Sequence, residues 1–205
     1  MTQAGSKQGA QPSWFNQEVE VLFQPEQIAR RVQDLARRIE EDYRGKTPHL
    51  VCVLENGFVF VADLVRALNL PVICQFIKPR FTEQVGRTGS VVQIFFSPEI
   101  EVKGQHVLLV EGILQSGVTT EFLMRNMLAR GAASVKLVCF LDRQEARRVH
   151  MQPDYSGFSI QEGFVVGYGL GAPHLGRNLP YLGLLARPPA ETADKAEMKD
   201  KELHT

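Results

Sequence analysis

The chain has 205 residues, enough for one well-buried domain and too short for a second full one. Its 23 basic and 23 acidic side chains cancel, so the basic excess of a nucleic-acid binder is missing and nucleic acid is not expected as a partner. No apolar run reaches the length of a membrane span, and the N-terminus "MTQAGSKQGAQPS" lacks the apolar centre of a signal peptide. A cytoplasmic protein without membrane contact is the expectation.

Residues 1–13 and 188–205 are polar and rich in Pro, Ala, Gly or charge, so both read as disordered tails around a single domain over 14–187. "PEQIARRVQDLARRIEEDY" places Ile28, Val32, Leu35 and Ile39 at helical spacing, with Pro25 suited to the first turn. "LVCVL" is a continuous apolar run, the pattern of a strand covered on both faces. "GFVFVADLVRAL" reads as a helix and "PVICQFI" as a second strand. The polar stretch "KPRFTEQVGRTGS" has no apolar period and reads as a loop. "VVQIFF" is a third strand, "QHVLLVEGIL" a fourth, "TTEFLMRNMLARGA" a helix stopped by Gly131, and "SVKLVCFL" a fifth strand. The basic run Arg143 to Arg148 contains a glutamate and suits the solvated start of a helix. Cys52, Cys74 and Cys139 lie inside apolar runs, odd in number and widely spaced, and read as small buried hydrophobes in a reducing compartment.

Buried strands alternating with helices imply an α/β domain with a mainly parallel sheet and right-handed crossovers. Ligands then bind beyond the carboxyl ends of the strands, here after Leu54, Leu114 and Leu141. After Leu114 the chain reads Gln115-Ser116-Gly117-Val118-Thr119. Unpaired amides and the dipole at a strand-to-helix junction favour an anion, Gly117 lets the backbone come close, and Ser116, Thr119 and Thr120 offer hydroxyls. The same hydroxyls also serve simply to cap a helix, so the short pattern leaves phosphate binding and capping both open.

From Leu22 to Leu185 the chain resembles bacterial hypoxanthine (hypoxanthine-guanine) phosphoribosyltransferases. The resemblance rests on "EDYRGKTPHLVCVLENGFVFVADLVRAL", "VLLVEGILQSGVTT", "LARGAASVKLVCFLDR", "DYSGFSI", "FVVGYGL" and "RNLPYLGLL", in the family's order and spacing. It implies a type I phosphoribosyltransferase core, a parallel sheet with helices on both faces, and a small hood built from the N- and C-terminal segments. It further implies transfer of a phosphoribosyl group from phosphoribosyl pyrophosphate (PRPP) to a 6-oxopurine with magnesium, and a dimer or tetramer of identical chains.

The same resemblance assigns residues. Ser116, Gly117, Val118 and Thr119 match the 5′-phosphate cradle, and Glu111 the acid that supports the ribose hydroxyls and metal. Arg143 stands where a lysine reads the 6-oxo group, Phe164 where an aromatic stacks on the base, and Val165 where the backbone contacts the ring. Arg177 matches an arginine on pyrophosphate. Other positions depart from the pattern. Gly112 and Gly171 replace acids that help hold magnesium. Gln115 replaces the aspartate at purine N7, and an amide cannot take up a proton at neutral pH. The pyrophosphate loop reads Leu54-Glu55-Asn56 where Leu-Lys-Gly is usual, an anion for a cation. Arg80-Phe81 replaces a Ser-Tyr pair in the loop that closes over the site.

The altered positions cluster on magnesium, pyrophosphate and proton handling, while the phosphate cradle and purine pocket are kept. The expected function is a catalytically weak or inactive phosphoribosyltransferase-like protein that binds a purine nucleoside monophosphate. One alternative is an active purine phosphoribosyltransferase using PRPP and magnesium through a rewired site. Another is a non-catalytic structural partner of an active paralogue.

Overall fold

The apolar runs of the sequence become the strands of a central sheet, and the amphipathic runs become its covering helices. The computed structural model describes residues 19–79, 100–171 and 176–186. Both tails, Arg80, Phe81 and the expected strand "VVQIFF" lie outside the described residues. The chain runs β1 (Val19–Phe23), α1 (Pro25–Asp42), β2 (His49–Val53), α2 (Phe58–Ala67), β3 (Ile73–Ile77), β4 (His106–Leu114), α3 (Val118–Ala129) and β5 (Ser134–Asp142). It continues through β6 (Tyr155–Ser159), β7 (Phe164–Val166) and β8 (Leu182–Leu185).

β3, β2, β4, β5 and β6 form a parallel five-stranded sheet in that order. β2 is buried at every residue, as its uninterrupted apolar run requires. α1 and α2 cover one face, where Ile28, Val32, Leu35 and Ile39 pack with Phe60, Leu64, Leu108 and Phe140. α3 covers the other, where Leu123 and Met127 meet Val51, Leu109 and Leu137. The helix α1 begins with Pro25 in its first turn, and the Gln24 backbone N–H donates to Gln27 Oε1 at 2.8 Å.

β1, β8 and β7 form a separate antiparallel sheet from the two ends of the domain, the hood that the resemblance implied. Two sequence readings are corrected. Cys74 is exposed because β3 is an edge strand, and its Sγ lies 3.7 Å from that of the buried Cys52 on the neighbouring strand. Residues 143–148 do not start a solvated helix. They hold one 3-10 turn, Gln144–Ala146, and Arg147 folds inward.

Candidate functional site

Parallel strands deliver their carboxyl ends to one edge of the sheet, so the segments after β2, β4 and β5 are neighbours whatever their distance in sequence. After β4, residues 115–117 turn the chain into α3. Gly117 has φ +77°, and a Cβ there would lie 2.8 Å from Met151 Sδ and from Val149 Cγ2. Glycine is demanded by both conformation and space. Ser116 and Thr119 are half-buried at this turn, beside the unpaired first amides of α3. Thr120 is turned away from it. Its hydroxyl donates to Glu111 Oε1 at 3.0 Å, and both side chains are buried.

Glu111 therefore sits beneath α3. Burial pushes its carboxyl up to about 7, with the Thr120 hydroxyl a smaller opposing influence. At the next position, a Cβ on Gly112 would lie 2.2 Å from the Asn56 carbonyl oxygen and 2.9 Å from the Gly57 nitrogen. The backbone after β2 occupies the volume that a side chain at 112 would need.

That same loop carries Glu55, whose preceding peptide bond is cis. Lys78, just past the end of β3, reaches Glu55 Oε1 at 2.5 Å, and Arg177 Nη2 lies 3.8 Å from Oε2. The lysine, and to a lesser degree the arginine, holds the Glu55 carboxyl below its usual range. The exchange of a cation for an anion at 55 is thus offset by a lysine from the adjacent strand. Arg177 also donates from Nη1 to the Gly169 carbonyl at 2.8 Å.

A cavity of about 130 Å³ gathers Asn56, Gln115, Arg143, Phe164, Val165 and Gly171, with Ile113, Gly163 and Leu170 completing its wall. Its size suits one ring system rather than a whole ligand, since typical ligand clefts measure roughly 300–1,000 Å³. Arg143 donates from Nη2 to the Gly163 carbonyl at 2.6 Å and keeps a buried Nε with no partner. Burial lowers its pKa. A larger hollow of about 620 Å³ lies at the opposite, amino-terminal edge of the sheet, between the end of α1 and the approach to β3.

A second support of the turn had no motif in the sequence. Arg147 pairs with Asp142 at the end of β5, their side chains only 11% and 2% exposed, and donates from Nη1 to the Gln115 carbonyl at 2.8 Å. The Arg148 backbone N–H donates to the Ser116 carbonyl at 2.9 Å. The signal was present in Asp142, an acid directly after the apolar run 137–141, because such an acid needs a buried partner.

Among the described residues, the donors at this edge do not fit a resident magnesium ion. Such an ion needs hard oxygen ligands in octahedral array. Glu111 is buried, with the Thr120 hydroxyl on its Oε1, and positions 112 and 171 are glycines. Gly171 has φ +130°, which an aspartate would adopt only under strain. Among the described residues, no group of three or more His, Cys, Asp or Glu could hold a metal ion.

Comparison with known proteins agrees with this architecture. The phosphoribosyl transferase domain family matches residues 18–172. The hypoxanthine-guanine phosphoribosyltransferase of Aquifex aeolicus (strain VF5) is 34% identical over 163 residues, 79% of this chain and 92% of that protein. The enzyme of the same name from Streptococcus pneumoniae (strain R6) is 36% identical over 165 residues, 80% of this chain and 92% of its own. Among solved structures, a mutant hypoxanthine phosphoribosyltransferase of Trypanosoma cruzi in ternary complex with substrates superposes with a TM-score of 0.76 at 36% identity, covering 84% of this chain and 96% of that one. The Bacillus anthracis hypoxanthine-guanine phosphoribosyltransferase holding a HEPES molecule in its active site gives 0.74 at 32% identity, covering 83% and 100%. In sequence and in fold, this chain belongs to the hypoxanthine phosphoribosyltransferase family.

Proposed function

We propose that this protein binds a purine nucleoside 5′-monophosphate, GMP or IMP, and transfers phosphoribosyl groups weakly or not at all. The observation that carries this reading is the contact at Gly112. The missing acid of the family's pair is not merely absent. Its place is taken by the Asn56 carbonyl, 2.2 Å from where a Cβ would sit.

In this reading the first amides of α3, with Ser116, Gly117, Val118 and Thr119, hold the phosphate. Phe164 and Val165 flank the base, and Arg143 offers its buried, unpartnered Nε toward the purine's 6-oxo acceptor. Gln115 hydrogen-bonds at N7 without exchanging a proton. Transfer from PRPP would need the departing pyrophosphate stabilised and a proton handled. Glycines at 112 and 171 bring no charge to the pyrophosphate, and the amide at 115 cannot exchange a proton at N7. Arg80 and Phe81 keep their assignment to the closing loop on resemblance alone, and a homo-oligomer is proposed on the same ground.

Steady-state assays with saturating PRPP, magnesium and hypoxanthine or guanine test the reading. Turnover at least a thousandfold below an active relative assayed alongside is expected, since losing a single preorganised stabilising contact costs roughly 10²–10³ in kcat. Turnover within tenfold of that relative would overturn it. One observation favours the alternative of an active enzyme with a rewired site, namely the cation that Lys78 brings to within 2.5 Å of Glu55.

A further inference from the structure

The segment that follows β5 is built around the phosphate turn. Arg143 N–H donates to the Leu114 carbonyl at 3.0 Å, Arg147 Nη1 to the Gln115 carbonyl at 2.8 Å, and Arg148 N–H to the Ser116 carbonyl at 2.9 Å. Three successive carbonyls of the turn are therefore taken by one strap. Its side chains close the remaining side, since a Cβ on Gly117 would meet Met151, Val149 and the Arg147 Cδ at 3.2 Å or less. Of these contacts only the Arg147 guanidinium joins two elements through a side chain, with one arm on Asp142 at the strand end and the other on the turn.

We infer that Arg147 is the positioning residue of the phosphate site: anchored by Asp142, it fixes the Gln115 carbonyl and so aims the amides of 116–119 at the ligand's phosphate. This rests on the monophosphate reading above. The reasoning is mechanical. A peptide unit held at its oxygen cannot rotate, and the amide N–H of Ser116 belongs to the same planar unit as the Gln115 carbonyl. Fixing that oxygen away from the ligand turns this N–H the opposite way, in the sense that favours an anion. A guanidinium suits the task because its planar fork serves two acceptors at once and stays charged when nearly buried. A lysine offers one point charge and meets only one of them well.

The test uses the full chain and its binding of GMP and of guanosine, which differ only in the phosphate. Removing Arg147 alone would leave Asp142 buried and unpaired, a change that endangers the fold. The variants are therefore Arg147→Lys and the charge-neutral double change Asp142→Asn with Arg147→Gln, each checked by thermal midpoint. Calorimetry should give at least a tenfold loss of GMP affinity in the double variant, a smaller loss in Arg147→Lys, and a change below twofold for guanosine in both. Equal losses for GMP and guanosine would reduce Arg147 to a general structural role and overturn the inference. Undiminished GMP binding by the folded double variant would overturn it while leaving the monophosphate reading intact. A wild-type chain that binds guanosine but gains nothing from the phosphate, or binds neither, would overturn both.

Discussion

Glu111 is an acid kept largely out of water, and its cost is readable as pH dependence. Its folded-state pKa of about 7 lies above the ordinary carboxylate value. The folded protein therefore binds this proton more tightly than the unfolded chain, and the group opposes folding increasingly as pH rises from about 4.5 to 7. Above that window the penalty is constant, on the order of 3 kcal/mol at about 1.4 kcal/mol per unit. Glu111→Gln should accordingly raise the denaturation midpoint relative to wild type at pH 8 and lose that advantage at pH 5. A variant whose advantage is the same at both values would contradict the burial of this carboxyl. Gly112 gives a second prediction at this scale. Gly112→Ala forces a Cβ against the Asn56 carbonyl and should destabilise by about 1–3 kcal/mol, and Gly112→Asp should not raise turnover, because the loop after β2 already fills the space. A gain in turnover on restoring the acid would show that this loop withdraws at small cost.

The elements differ in how far they could be read before folding. β2, β4 and β5 are legible because a strand covered on both faces carries a continuous apolar run, and α1 because Ile28, Val32, Leu35 and Ile39 repeat at helical spacing. β6 gave no such signal. It is an edge strand with Gly157 at its centre, where a Cβ would lie 2.3 Å from the Phe140 carbonyl, and its sequence was matched through resemblance rather than periodicity. The site divides the same way. Ser116 to Thr119 stand out as a strand-to-helix turn, whereas Arg143 and Phe164 are assigned by the resemblance alone. Lys78 on Glu55 and Arg147 on Asp142 and Gln115 are not legible, because those pairs are made by strand order and by the return of the chain after β5. The packing of α1 is open to a direct check. Ile39 is fully buried against the sheet, so Ile39→Ala should lower unfolding free energy by about 2–5 kcal/mol in a denaturant titration. A loss below 1 kcal/mol would mean that α1 is loosely docked.

At the scale of the molecule, one edge of a parallel sheet collects a phosphate-type turn, a ring-sized cavity and two cations engaged by a carboxylate. The charge balance of the chain is zero, so attraction of an anionic ligand depends on local amides and arginines rather than on a long-range field. Among the described residues no helix is long and apolar enough to cross a membrane. A calorimetric titration of the purified chain separates the two halves of the family's site most directly, with GMP or IMP in one series and PRPP with magnesium in the other. Saturable binding of the monophosphate with no response to PRPP is the expected result. Clear binding of PRPP with magnesium, followed by turnover of a purine base, would contradict the loss of transfer, and silence toward both monophosphates would contradict the binding role.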